Sequence, residues 1–205
     1  MMFGFLANRM PSVRIDGPNV YIRPPRRGDE RQWMALRRIS RDFLIPWEPS
    51  WPSDATTAAA YRRRYRRFCE DWRLRVGFAF FVFDQKTNQL LGGITLSNVR
   101  RGVSQSGSVG YWMGEPFAGK GHMSEAVGLL LHFAFETLGL NRVEAACLLH
   151  NDASRHLLRK LGFKEEGVAR RYLCINGRWQ DHVMHAILRE DPRPAVVRRA
   201  TSLYA

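Results

Sequence analysis

The pair Gly119 and Gly121, separated only by Lys120, limits what this chain can fold into more than any other stretch. It stands between the apolar run Val109 to Met113 and a long segment striped with apolar residues, so the order reads strand, glycine loop, helix. From Gly119 to about Leu138, Met123, Ala126, Val127, Leu130, Leu131 and Ala134 share one helical face, with Glu125, His132 and Glu136 opposite. Gly139 suits the helix end. Two glycines let the backbone turn tightly and approach a ligand, while a helix start aims unpaired N–H groups and its positive dipole end outward. Such a place binds phosphate, whether on a nucleotide or as a free ion.

The rest of the chain supplies a sheet for that loop. Short β-prone pieces, Val13 to Ile15 and Val20 to Ile22, flank the turn Asp16-Gly17-Pro18-Asn19. Asp29 is placed to cap a helix running to about Ser40, and Thr56 or Thr57 starts a second. In that second helix Ala58, Tyr61, Tyr65, Phe68 and Trp72 form a core stripe, and Arg62, Arg63, Arg64, Arg66 and Arg67 cover the remainder as a solvated face or a contact for an acidic partner. Between the helices lies a proline-broken loop holding Trp47, Glu48 and Trp51, too aromatic for a solvated linker. Phe78 to Phe83 and Leu90 to Leu96 predict a buried hairpin, Arg142 to Leu149 a strand, and Asn151 to Leu161 a short helix capped by Asn151. The Asn176-Gly177 pair between apolar runs predicts a closing hairpin, and Asp181 to Leu188 ends the sheet. Strand, two helices, three strands, helix, strand, helix and two strands describe one α/β domain with a mixed sheet and helices on its faces. The expected boundaries are an extension over 1–12, the domain over 13–189 and a mobile tail over 190–205.

The balance of 32 basic to 19 acidic residues, +13 overall, favours anionic partners: a phosphorylated cofactor, RNA or a ribonucleoprotein, or acidic lipid. An arginine-rich proteome would give the same charge. Cys69, Cys147 and Cys174 are odd in number and show no CxxC spacing, which argues against a disulfide framework and a zinc site, so no metal is expected. A reducing cytoplasm fits. The first ten residues do not read as a signal peptide, and no eighteen apolar residues run together, so no membrane partner is expected.

The stretch Gly114 to Ala126, the pattern Asn151-Asp152-Ala153-Ser154-Arg155 with Leu158, Lys160, Leu161, Gly162 and Phe163, the pair Glu166-Gly167 and the segment Asn176 to His182 together resemble the GNAT superfamily of acetyl-CoA-dependent N-acetyltransferases. Among its branches they are most similar to the RimJ type, the ribosomal-protein-alanine N-acetyltransferases, over roughly Arg14 to Leu188 and including the Trp47-Glu48-Pro49 loop. The resemblance implies a GNAT fold of about seven strands and four helices. It implies that the coenzyme A pyrophosphate is held at Gly119, Lys120, Gly121, His122, Met123 and Ser124, although Pro116 replaces the Arg or Gln that opens the family's loop. It further implies that the pantetheine arm lies beside Tyr111, Trp112 and Met113, with Asn151 and Ser154 as contacts. Glu144 is the implied base and Ser154 the implied acid, with Tyr172 a third catalytic candidate; an ion pair, a helix cap and hairpin packing are their respective structural readings. Asp181 and His182 match a family motif and are read as structural. Trp47 and Glu48 fall where the acceptor would bind.

These readings support three functions. The first is transfer of acetyl to the N-terminal α-amine of a ribosomal protein beginning with alanine or serine, by a monomer or weak dimer working near ribosomal RNA. A second keeps the chemistry and takes a small amine, such as a polyamine, antibiotic or amino-acid conjugate. Loss of catalysis, leaving a basic RNA-binding or ribosome-binding module, is the third.

Overall fold

The structure is a computed structural model that describes residues 10–196 and the backbone of 199 and 200. In chain order the elements are β1 (Ile15–Asp16), β2 (Val20–Arg23), α1 (Glu30–Ile39), α2 (Arg41–Leu44), α3 (Ala58–Leu74), β3 (Phe78–Asp84), β4 (Leu90–Arg100), β5 (Ser106–Met113), α4 (His122–His132), β6 (Arg142–Leu148), α5 (Asp152–Lys160), β7 (Lys164–Ile175), β8 (Arg178–Leu188) and β9 (Arg199–Ala200). They form one mixed sheet ordered β7-β8-β6-β5-β4-β3-β2-β1-β9. The α/β class agrees with the sequence. The described residues hold nine strands and five α-helices instead of about seven and four, because the expected count takes the two pieces of the first hairpin as one strand, and α2 and β9 are too short for periodicity to resolve.

Among the described strands every neighbouring pair runs antiparallel except β5 with β6, which α4 connects. Strand β3 is buried on both faces, which explains its unbroken apolar run. Phe78, Phe80 and Val82 join the cluster under α4 and α5, while Phe81 and Phe83 join Trp33, Leu36, Tyr61 and Tyr65 under α1 and α3. Trp72, in the last turn of α3, crosses to the first cluster and meets Phe78, Phe80 and Phe133 at ring distances of 4.8, 5.3 and 5.8 Å. The sheet therefore divides the molecule into two layers that share its central strands.

Local chemistry sets several boundaries. The Thr57 hydroxyl accepts the Ala60 N–H at 3.2 Å, so Thr57 is the α3 cap. Asn176 and Gly177 both take positive φ, 44° and 78°, the two-residue turn that the Asn-Gly pair predicts. Asp29 departs from expectation. Instead of capping α1 it accepts from the Arg26 backbone N–H and pairs with the buried Arg23 guanidinium at 2.6 and 2.8 Å, satisfying a charge that the fold encloses. The closing hairpin also differs in arrangement: β8 inserts beside β6, leaving β7 at the edge.

Of the segment from 190 onward, expected to be mobile, residues 191–196 lie against α4 and the turn after it. Arg193 donates to Glu136 at 2.8 Å, Lys164 to Asp191 at 2.7 Å, and Val196 packs on the core beside Gly128. Gly128 has no side chain to obstruct Val196, since an added Cβ would sit 2.6 Å from it. The sequence holds no periodic signal there because isolated contacts, not a repeated face, fix the segment. Residues 201–205 and most of the expected 1–12 extension lie outside the described residues.

Candidate active site

Strands β5 and β6 pair only at Ser106↔Arg142, Gly107↔Val143 and Ser108↔Glu144. Beyond that point each keeps its outer partner, β5 with β4 as far as Met113 and β6 with β8 as far as Leu148. Their facing edges, Val109 to Met113 and Ala145 to Leu148, thus offer backbone groups with no ladder partner across the parting. An extended ligand with amide groups can take that place.

The glycine loop lies at the open end. Gly114 donates to the Leu91 carbonyl at 2.8 Å, a short turn over Glu115–Phe117 follows, and Gly119 and Gly121 adopt φ of 74° and 80°. At both glycines the space where a Cβ would project is open. Helix α4 starts without a side-chain cap, so the first-turn N–H groups of His122, Met123 and Ser124 have no acceptor within the helix. Nδ1 of His122 is also buried without a hydrogen-bond partner. The Lys120 ammonium folds back onto the Pro116 carbonyl at 2.8 Å, which keeps its stem clear of the helix start. The donor set, the dipole and the open space at both glycines fit a pyrophosphate. Among the described residues no group of three or more His, Cys, Asp or Glu side chains is arranged to hold a metal.

Across the parting the Tyr111 and Ser154 hydroxyls meet at 2.7 Å. Asn151 Oδ1 accepts the Ser154 N–H at 3.1 Å, so the cap of α5 fixes the serine backbone. Burial pushes Tyr111 up to about 12, the Ser154 hydrogen bond acting against it. Burial likewise raises the Cys147 thiol, again with Ser154 as the opposing hydrogen-bond partner. The three side chains join β5, β6 and α5 through protonated, uncharged groups.

On the other face a cleft of about 750 Å³ opens between the 45–55 loop, α3 and strands β4 and β5. Its central pair is Arg37 and Glu48, bound through two hydrogen bonds of 2.7 and 2.6 Å, with the Trp51 indole donating to Glu48 at 2.8 Å. The Arg37 guanidinium carbon stands 4.1 Å from the Trp51 ring centre and 4.9 Å from that of Trp112. Gly93 lets the Trp112 indole lie against β4, since a Cβ there would come within 2.5 Å of Trp112 Nε1. The loop is tied down at its far side: Asn176 N donates to the Glu48 carbonyl at 2.9 Å, and the Trp47 ring centre is 5.6 Å from that of His150.

The structure thus gathers Tyr111, Asn151 and Ser154 at the parting, Gly119 to Ser124 at its mouth, and Glu48 with Trp112 in the cleft. Trp47 packs on His150 and is not part of the cleft wall. Glu144 sits where β5 and β6 are still paired, its carboxylate held by Arg142 at 2.9 Å and Arg100 at 3.4 Å. Tyr172 is exposed on edge strand β7, its ring edge-on to buried His182. Neither is brought to the Tyr111 and Ser154 pair by a contact. His182 keeps Nδ1 3.0 Å from the Gln180 carbonyl oxygen. Sequence reasoning missed Arg37 as a cleft residue, because its position on α1 marks only its face and nothing local points to Glu48 eleven residues on.

Residues 19–164 match the family model described as Acetyltransferase (GNAT) domain. Over 177 residues the chain is 33% identical to the Bacillus subtilis (strain 168) protein named "Probable N-acetyltransferase YjcK", covering 86% of this chain and 98% of that one. Over 193 residues it is 32% identical to the [Ribosomal protein uS5]-alanine N-acetyltransferase of Escherichia coli (strain K12), covering 94% of this chain and 99% of the relative. Two solved structures superpose closely. Mycobacterium smegmatis RimJ in complex with CoA-disulfide gives a TM-score of 0.82 at 28% identity over 87% of this chain and 88% of that one. The ribosomal-protein-S5-alanine acetyltransferase from Vibrio fischeri gives 0.80 at 29% over 88% and 99%. With the parted strands, the glycine cradle and these matches together, the chain belongs to the GNAT acetyltransferase family and is an acetyl-transferring enzyme related to the ribosomal-protein N-acetyltransferases.

Proposed function

We propose that the protein moves acetyl from acetyl-CoA to the N-terminal α-amine of a ribosomal protein beginning with alanine or serine, by direct attack in a ternary complex. The observation that carries this reading is the sharing of β5 by two spaces: its free edge faces the parting, and Trp112 walls the arginine-lined cleft. A donor and an acceptor can therefore approach one strand from different directions. The relative acting on uS5 alanine, similar over nearly its full length, supports the choice of acceptor.

Acetyl-CoA supplies a thioester whose carbonyl carbon accepts a nucleophile. The amides from Gly119 to Ser124 bind its phosphates, and Asn151 with the facing strand edges orients its amide arm. An N-terminal amine, with a reference pKa of about 7.7–8.0, is substantially neutral near pH 8 and can lose its proton to water once the C–N bond forms. The Ser154 hydroxyl, hydrogen-bonded with Tyr111, gives its proton to the sulfur as the C–S bond breaks and regains one from the water that took the amine's. Glu144, held by two arginines, is assigned no proton transfer.

Isotope-labelled acetyl-CoA offered with peptides beginning in alanine or serine, and with the same peptides blocked at the terminus, tests the reading. Label should enter only the unblocked peptides; equal labelling of both, or a small-amine panel outperforming every peptide, overturns it.

A further inference from the structure

Four arginines, Arg37, Arg63, Arg64 and Arg67, line the cleft with a single carboxylate, Glu48. Glu48 is consumed by Arg37, and Arg63 pairs with Asp54 at 2.5 Å. Among the described residues neither Arg64 nor Arg67 has a carboxylate within salt-bridge distance. Arg64 is open to solvent yet crowded by the cleft wall, with its guanidinium carbon 5.8 Å from the Trp33 ring centre. That crowding, followed by the charge of Arg37, lowers its pKa, with the Glu48 carboxylate acting against the shift. The Nε of Arg37, on a side chain only 5% exposed, is a further buried donor without a partner.

We infer that the cleft selects acceptor peptides carrying acidic side chains close behind the reacting amine, with Arg64 and Arg67 of α3 as the groups that hold them. A peptide fits better than a small anion because the basic surface continues past the cleft through exposed Arg62 and Arg66, so a chain leaving the site runs on along α3. This selection rests on reading the cleft as the acceptor site and adds the side chains that the site favours behind the amine. Each partly exposed contact is weak, and two together are worth roughly tenfold at low salt.

The test measures both binding and turnover. Alanine-initiated peptides with Asp and Glu at the second to fourth positions are compared with their Asn and Gln counterparts by calorimetry on the coenzyme A complex and by kcat/KM. Acidic peptides should bind about tenfold more tightly at low salt, and the R64Q/R67Q variant should erase that ratio while its coenzyme A affinity, unchanged, shows that it is folded. Equal affinity of the two peptide sets for the unaltered protein overturns the inference, as does a ratio that survives in R64Q/R67Q. Should the variant fail to fold, R64Q and R67Q singly must each reduce the ratio. Tight, arginine-dependent binding of acidic peptides without acetylation of any peptide would uphold the selection and reject the proposed reaction; efficient acetylation of both sets alike would do the reverse.

Discussion

The Tyr111 hydroxyl lies 2.7 Å from the Ser154 hydroxyl, joining β5 to the first turn of α5 across the place where β5 and β6 part. A serine so placed keeps a defined hydroxyl direction, which a solvent-facing helix residue would lack. Ser154→Ala should lower kcat about 100-fold, at the lower end of general acid effects because a thiolate leaves readily. Tyr111→Phe, which removes only the orienting partner, should cost about tenfold. Steady-state kinetics with coenzyme A affinity measured in parallel checks this; a loss confined to affinity would make Ser154 a binding group only.

The same tyrosine predicts an alkaline signature. Its pKa is about 12 in the folded chain against an ordinary value of 10.0, so between those values the unfolded chain releases a proton that the folded chain keeps. Stability from this group is complete below pH 10 and falls as pH rises towards 12. The full difference is about 2–3 kcal/mol, and solvent reaching the partly exposed ring trims it to about 1–2 kcal/mol. Urea unfolding of Tyr111→Phe at pH 9 and pH 11 should show a correspondingly shallower decline than the unaltered protein.

Arg37 and Glu48 illustrate a different balance. The arginine side chain is 5% exposed and the glutamate 21%, so neither charge is well solvated. Glu48→Gln keeps an acceptor for Trp51 but leaves the guanidinium without a counter-charge, a loss of about 3 kcal/mol. Replacing both residues with apolar ones, R37M/E48L, removes the stranded charge and should cost less than Glu48→Gln alone. Chemical denaturation of the two variants decides it, and a larger loss in the double variant would mean that the pair stabilises beyond its own desolvation.

Local sequence carried the elements that depend on neighbours in the chain. The Asn176-Gly177 turn, the Thr57 and Asn151 caps and the Gly119 to Ser124 loop are all written within a few residues. The family resemblance put the pantetheine arm beside Tyr111 to Met113, but the residues themselves could not show the parting, since a ladder that stops at Ser108↔Glu144 is a relation between segments more than thirty residues apart. For the same reason the arginines of α3 read as a solvated face or a contact for an acidic partner: periodicity tells which side of a helix avoids the core and nothing about what stands opposite. Asp29 had the composition of a cap and the position of one, yet the buried Arg23 claimed it. A buried charge outcompetes a helix end for a carboxylate, because leaving it unpaired costs more.

Glycines of this chain separate folding from binding. At Gly121 φ is 80° and the Cβ direction is open, so Gly121→Val meets only the penalty of a left-handed backbone, about 1–2 kcal/mol, while its methyl groups enter the space before the α4 amides. At Gly92 a Cβ would stand 2.3 Å from the Trp112 carbonyl oxygen, which is fixed in the β4 and β5 ladder and cannot move aside. Gly92→Ala should therefore lose about 3 kcal/mol of stability through overpacking. Gly121→Val should remain folded and weaken coenzyme A binding more than 100-fold by calorimetry, because backbone approach, not side-chain chemistry, makes the phosphate cradle. If Gly121→Val bound coenzyme A as the unaltered protein does, the amides at the start of α4 could not be what holds the pyrophosphate.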